Sequence, residues 1–348
     1  MTDRTALIQR KQDVIRQLSM TQRRLESSAT DASQRAALTA EIRDLQAQER
    51  ELRLAIDRAP IPMSKTFRPR SSTPQTQFDV LMTAGYDRNK PDPLAEVTGQ
   101  PQKVLVEIAG APMIWHVVRA LHESGIIGEI VIVGLDEEHH LDFGRPVHYL
   151  DDQGSMTANQ RTGAEFLAEL NDQDRYVLAM GADAPLITAE MVRWFVEACR
   201  PMHRDIYWGV VSQTVMEKTF PQSRRSYLRL REGKFCSGDL FLVDLQVGLR
   251  AHKRMEPYFD SRKNILRQLR MLGFGTILAF LLGRLSLAGL LKVVEREVDA
   301  SGAAIQLPFA EPGMDIDKPH QLAQVQAYLA DHPDHPANVR RYGGPTDA

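Results

Sequence analysis

Phe78-Asp-Val-Leu-Met-Thr-Ala-Gly85 is the stretch that decides the fold. It is an apolar run that ends in small residues, as a buried strand does where it turns toward a ligand. Similar runs follow at Glu129–Leu135, Tyr176–Met180, Asp205–Val211 and Leu240–Val243. Amphipathic segments alternate with them at Pro112–Ser124, Met156–Leu170, Ala189–Cys199, Leu287–Val298 and Pro319–Leu329. Strand–helix alternation predicts an α/β fold, a mainly parallel sheet with helices on both faces. In such sheets ligands bind at the carboxyl ends of the strands. Ala84 and Gly85 then lie where backbone N–H groups can meet phosphates.

Residues 1–58 have a different texture. They lack Gly and Pro and are rich in Gln, Arg, Glu, Leu and Ala. Leu7, Val14, Leu18 and Leu25 form one apolar stripe, and Leu38, Ile42, Leu45, Leu52 and Ile56 form another. Ser27-Ser-Ala-Thr-Asp31 breaks them apart, which predicts a helical hairpin or coiled coil, with pairing into a homodimer as one use. Pro60, Pro62, Pro69 and Pro74 mark residues 59–77 as a linker. Residues 78–331 form the α/β domain, and 332–348, opening His332-Pro-Asp-His-Pro336, a flexible tail.

Composition excludes several classes. The net charge of −2 gives no basic field for nucleic acid. Cys199 and Cys236 are the two cysteines, too few for a disulfide framework, and a reducing cytoplasmic compartment is expected. Met271 to Leu291 is apolar but carries Arg284 and four glycines. Two short buried helices broken at Gly283–Ser286 are expected there rather than a membrane span.

Four pieces carry chemistry. Beside the turn at Thr83-Ala84-Gly85 stands Pro101-Gln-Lys103, whose ammonium can neutralise phosphate charge. The strand from Tyr176 ends in Asp183-Ala-Pro-Leu-Ile-Thr188, a carboxylate placed to hold Mg²⁺ with phosphate oxygens. Asp315-Ile-Asp317-Lys-Pro319 offers two aspartates on one side of an extended segment, although Asp317 is also a good helix N-cap. Arg224 and Arg225 can bind an acceptor phosphate together. His139-His140 has no third ligand at metal spacing and reads as surface.

The series Leu81-Met-Thr-Ala-Gly85, Pro101-x-Lys103, Ile108-Ala-Gly-x-Pro-Met-Ile114, Asp183-Ala-Pro-Leu-Ile-Thr188 and Asp315-Ile-Asp317-x-Pro319 resembles the MobA-like nucleotidyltransferase family, over about residues 78–331. The resemblance implies a Rossmann-like GT-A fold. It also implies nucleotidyl transfer from an NTP (CTP, GTP or UTP) to a small, phosphorylated acceptor, with release of pyrophosphate. It makes Lys103 the phosphate-contacting lysine, and Asp183 with Asp317, or else Asp315, the Mg²⁺ ligands. Gly154-Ser155-Met-Thr-Ala-Asn159 resembles the segment beside the base, and Phe235-Cys-Ser-Gly-Asp239 a turn near the acceptor, with Asp239 as a further metal candidate. The chain departs from the family pattern at Tyr86, where a second glycine is usual, and in the insertion Asp87 to Pro101. Two other readings remain. One is a glycosyltransferase on the same fold. The other is a nucleotide-binding regulator that uses the hairpin as a partner arm.

Overall fold

The computed structural model describes residues 32–58, 75–85, 92–135, 139, 141–170, 175–250 and 284–338, with nine positions between 7 and 25. The chain divides into two compact units, Met1–Arg70 and Ser71–Ala348. Tyr86, Lys90, His140 and the apolar run 271–283 lie outside the described residues.

In the first unit helix α1 spans Ala32–Arg58, and each described residue between 7 and 25 is helical. The two segments pair antiparallel. Leu7 packs with Leu52 and Ala55, and the Thr21 hydroxyl donates to Glu41 Oε1 at 3.2 Å. Leu7, Val14, Leu38 and Leu45 are buried, so the heptad-spaced positions face inward, as the stripes require.

The second unit is built on an eight-stranded sheet. In chain order come β1 (Phe78–Thr83), the short α2 (Ala95–Thr98), the two-residue strands β2 (Glu107–Ile108) and β3 (Ala111–Pro112), α3 (Met113–Glu123) and β4 (Ile127–Val133). Next are β5 (His148–Leu150), α4 (Met156–Leu170), β6 (Tyr176–Gly181), α5 (Ala189–Ala198) and β7 (Ile206–Ser212). They are followed by α6 (Gln213–Thr219), β8 (Leu228–Leu230), β9 (Gly233–Asp244), α7 (Leu287–Val298), β10 (Gly302–Gln306) and α8 (Pro319–Asp331). The spatial order is β10-β7-β9-β6-β1-β4-β5, with β8 on β9. β2 and β3 make a separate antiparallel pair.

β1 is parallel to both β4 and β6, and β4 to β5; β9 runs antiparallel between β6 and β7. The chain passes from β1 to β4 on one side and later returns to β6 on the other. That reversal opens a crevice at the carboxyl ends of β1 and β6, where open α/β sheets take ligands.

β1 is apolar because both its faces are covered. Phe78, Val80 and Met82 face the larger core, which includes Met113, Ile114, Val117, Val118 and Leu121 of α3. Burying each such side chain contributes about 1.5–3 kcal/mol. Leu81 faces the other way, against a smaller core with Val131, Val133 and Leu167. α4 lies close there: a Cβ on Gly163 would come 2.9 Å from Leu81 Cγ.

Several sequence expectations change. The antiparallel β9 is twelve residues long, and what reads as a turn at Gly238-Asp239 lies inside it. There the pairing with β7 slips between Trp208 and Val210, and Asp239 takes φ 49. A bulge tolerates the Gly-Asp pair that would otherwise mark a hairpin. α7 starts at Leu287, where the Ser286 hydroxyl accepts from Gly289 N–H at 2.9 Å. No described helix is long and apolar enough to cross a membrane. Residues 332–338, read as the start of a tail, are held in place. Asn338 Nδ2 donates to Leu329 O and His332 O, and Arg119 donates to Pro336 O.

Candidate active site

β1 and β6 end in register, Thr83 opposite Gly181, so Ala84-Gly85 and Ala182-Asp183 emerge side by side. β9 passes on the far side of β6, and Asp239 Oδ2 accepts from Gly181 N–H at 3.0 Å. The fourth strand-end element arrives from far along the chain: Ile316 N–H donates to the Asp183 backbone carbonyl at 2.9 Å. Because alternate residues of an extended segment share a side, that bond turns Asp315 and Asp317 together toward Asp183. One carboxylate oxygen from each of Asp183, Asp315 and Asp317 lies within 4.8 Å of the others. Gln321 fixes the segment from behind, its Oε1 accepting from Asp317 N–H at 2.9 Å.

Lys103, in a single 3-10 turn (Lys103–Leu105), reaches into this cluster. Its Nζ is 2.5 Å from Asp183 Oδ2 and 2.5 Å from Asp317 Oδ1. Burial opposes the ammonium charge, but the two carboxylates outweigh it and hold the pKa above the ordinary lysine range. Arg225 binds Asp315 through its guanidinium and donates to the Asp315 carbonyl at 3.2 Å. Burial pushes Asp315 up to about 6; Arg225 opposes the shift, and Asp183 and Asp317 add to it. Asp317 also feels burial, yet the Lys103 charge and hydrogen bond bring it below the ordinary value. Asp239 is raised well above the carboxylate range by burial and by Asp183 and Asp315.

The donor set fits a hard divalent cation. Three carboxylates converge without sulfur or imidazole, and Mg²⁺ takes carboxylate and phosphate oxygens.

A cavity of about 950 Å³ opens from this cluster. Thr83, Ala84, Gly85, Lys103 and Asp183 line it on one side, and Gly154, Ser155 and Asn159 on another. Arg225 and Asp239 also reach it, as does Asp315. Ser155 starts α4, its hydroxyl accepting from Ala158 N–H at 3.2 Å. Asn159 ties that helix to the preceding loop: its Oδ1 accepts from Gln153 N–H at 2.7 Å and its Nδ2 donates to Asp152 Oδ1 at 2.8 Å. Gly85 sits against both, because a Cβ there would fall 2.5 Å from Asn159 Nδ2 and 2.8 Å from Asp152 Oδ1.

Arg224 does not join its neighbour. It has φ 51, is exposed and is not among the cavity-lining residues, because successive side chains in this loop diverge. The acceptor-phosphate pair read from Arg224-Arg225 therefore reduces to Arg225. Asp317 is not a helix cap: the N-cap of α8 is Lys318, with no side-chain cap bond. His139 joins no metal cluster among the described residues, and His140 lies outside them.

Two site residues escape sequence reading. Asp152 follows β5, whose three residues carry no apolar run to announce a strand end. Gly181 looks like an ordinary strand terminus. Yet a Cβ on it would meet Asp183 Oδ1 at 2.6 Å and Asp239 Oδ2 at 2.9 Å. We expect Gly181→Ala to keep the fold, since only carboxylate ends must move. A displacement of about 1 Å can cost 10²-fold in rate, so NTP turnover should fall about 10–100-fold. Thermal melting and pyrophosphate release measure the two halves; unchanged turnover would mean that neither carboxylate position matters.

Residues 96–240 match the family model described as the MobA-like NTP transferase domain. A solved structure described as a hypothetical transferase from Thermus thermophilus is 29% identical and aligns with a TM-score of 0.62, covering 71% of this chain and 99% of that one. A CMP:2-keto-3-deoxy-manno-octonic acid synthetase complexed with CTP aligns at 16% identity and TM-score 0.45, covering 74% of this chain and 99% of its own. A 4-diphosphocytidyl-2C-methyl-D-erythritol synthase from Anaerococcus prevotii aligns at 12% and 0.46, over 74% of this chain and 98% of its own. Within the α/β unit, residues 96–240 are thus similar to the MobA-like NTP transferase domain.

Proposed function

We propose that the α/β unit transfers a nucleotidyl group from an NTP to a small phosphorylated acceptor and releases pyrophosphate. The observation that carries this reading is the convergence of Lys103, Asp183, Asp315 and Asp317 beside the Gly85 turn, at the switch point of the sheet. An acceptor phosphate oxygen attacks the α-phosphorus in line. The new O–P bond forms as the bridging α–β P–O bond breaks, and its electron pair leaves with pyrophosphate. An ionised acceptor phosphate needs no general base. Asp183 and Asp317, with Asp315 beside them, would hold Mg²⁺, which when bound neutralises charge on the phosphates. Lys103 meets the triphosphate as a compact cation, and Arg225 and Asp239 face the acceptor. Thr83, Ala84 and Gly85 lie along the phosphates, and Gly154, Ser155 and Asn159 toward the base.

Residues 78–331 do this work in our reading. Residues 59–77 link them to a hairpin, 1–58, that can pair two copies of the chain.

Asp315-Ile-Asp317 beside Asp183 also suits a glycosyltransferase using a nucleotide sugar. A thermal-shift screen of CTP, GTP, UTP and ATP with Mg²⁺, alongside nucleotide sugars, separates the readings. A bound ligand at 100 times its Kd stabilises by about 2.7 kcal/mol. We expect one free NTP to stabilise the protein and to yield pyrophosphate once a phosphorylated acceptor is supplied. Stabilisation by nucleotide sugars alone would favour the glycosyltransferase, and NTP binding with no turnover across acceptors a regulator.

A further inference from the structure

We propose that Lys103 is a tethered cation that occupies the carboxylate cluster until nucleotide arrives, so that the divalent metal enters with the triphosphate rather than before it. The proposal rests on the nucleotidyltransferase reading and adds an order of binding to it.

The geometry is specific. Lys103 Nζ lies 2.5 Å from one oxygen of Asp183 and 2.5 Å from one of Asp317, two of the three residues that would ligate the metal. The third, Asp315, is held by Arg225. A divalent cation at the triad would therefore share its carboxylates with an ammonium and a guanidinium. Two cations already offset the charge of the three carboxylates, with the Asp239 carboxyl group beside them, and this weakens the attraction for a free metal ion. Lys103 is also well placed to hold: its side chain is only 20% exposed and contacts both carboxylates.

A triphosphate changes the balance. It brings several negative charges and new oxygen acceptors to the Gly85 turn, to which Lys103 can transfer. The vacated carboxylates then accept the metal that the phosphates also ligate. Metal and triphosphate thus favour each other by one coupling factor, the same in both directions. The ammonium acts as a placeholder that spares the empty site the repulsion of bare carboxylates.

The test uses Mn²⁺ alone, with the full chain, read by the electron paramagnetic resonance signal of free Mn²⁺. Wild type should bind it weakly. A charge-assisted hydrogen bond is worth about 1.5–3 kcal/mol, or roughly 10–150-fold. Lys103→Met should therefore bind Mn²⁺ at least about tenfold more tightly than wild type, and the double variant Lys103→Met/Asp183→Asn should lose that gain. Lys103→Gln serves as the second variant if circular dichroism shows Lys103→Met misfolded. Lys234→Met, at an exposed position outside the cavity lining, should match wild type. Binding by the Lys103 variants that is no tighter than wild type, or a gain that survives Asp183→Asn, would overturn the proposal. Pyrophosphate release by wild type is followed separately. Its absence with every NTP would sink the nucleotidyltransferase reading, whereas the Mn²⁺ gain reports on Lys103 alone.

Discussion

Asp183→Asn should lower NTP turnover more than about 100-fold and leave the fold intact. Asparagine keeps the shape of the side chain and removes its charge. The backbone bond that matters to the architecture, Ile316 N–H to the residue-183 carbonyl, does not involve the side chain. Losing the carboxylate leaves Lys103 with Asp317. Asp183 and Lys103 are 16% and 20% exposed, so the lost pair is partly solvated, and the stability change should stay near 1 kcal/mol. The chemical loss is larger. Outer-shell partners of metal ligands already cost about 10–100-fold when removed, and a ligand itself must cost more. Pyrophosphate release, with far-UV circular dichroism as the fold control, measures both. Turnover within tenfold of wild type would take Asp183 out of the metal site. Asp239→Asn is the informative neighbour: Asp239 is hydrogen-bonded to Gly181 N–H and stands outside the converging triad, so its effect should be smaller.

Sequence reading succeeded where burial writes a pattern. β6, and β1 beyond Asp79, are covered on both faces and appear as apolar runs. α4 and α7 run as the sequence pattern predicts, Met156–Leu170 and Leu287–Val298. Elements at the sheet edges left no such trace. β5 and β10 are short, and β10 reads Gly302-Ala-Ala-Ile-Gln306, with little to distinguish it from a loop. Alternation of strands and helices also could not reveal that β9 runs antiparallel, because its Gly238-Asp239 bulge imitates a turn. The motifs placed Lys103, Asp183 and Asp317 near a strand edge, but the bond from Ile316 to Asp183 that gathers them joins residues far apart in sequence. Arg225 shows the opposite limit. Its residue type was legible, its separation from Arg224 was not, because that depends on one left-handed backbone angle.

Arg175→Met should destabilise the α/β unit by about 1.5–3 kcal/mol, the worth of a hydrogen bond between charged groups that is partly buried. Asp79, on β1, is 2% exposed, and Arg175, just before β6, binds its carboxylate. The carboxylate also accepts from Glu129 N–H at 3.0 Å and fits a space that a Cβ on Gly128 would invade at 2.7 Å. The register of β1 against β4 slips at this point, between Phe78 and Val80, so the charge fills an irregularity in the central strand pair. Methionine retains an apolar side chain of similar reach but strips the cation that faces Asp79. At about 2–4 °C per kcal/mol for a unit of this size, the melting temperature should fall by roughly 3–12 °C. The site chemistry lies at the opposite ends of the same strands, so turnover below the melting range should change little. Adding Asp79→Val removes the carboxylate and supplies a strand-forming apolar group. The double variant should therefore recover a substantial part of the loss, as buried pairs replaced by apolar residues commonly do. A single variant within 1 kcal/mol of wild type, or a double variant no more stable than the single, would mean that the pair is solvated and that the slipped register holds β1 and β4 without it.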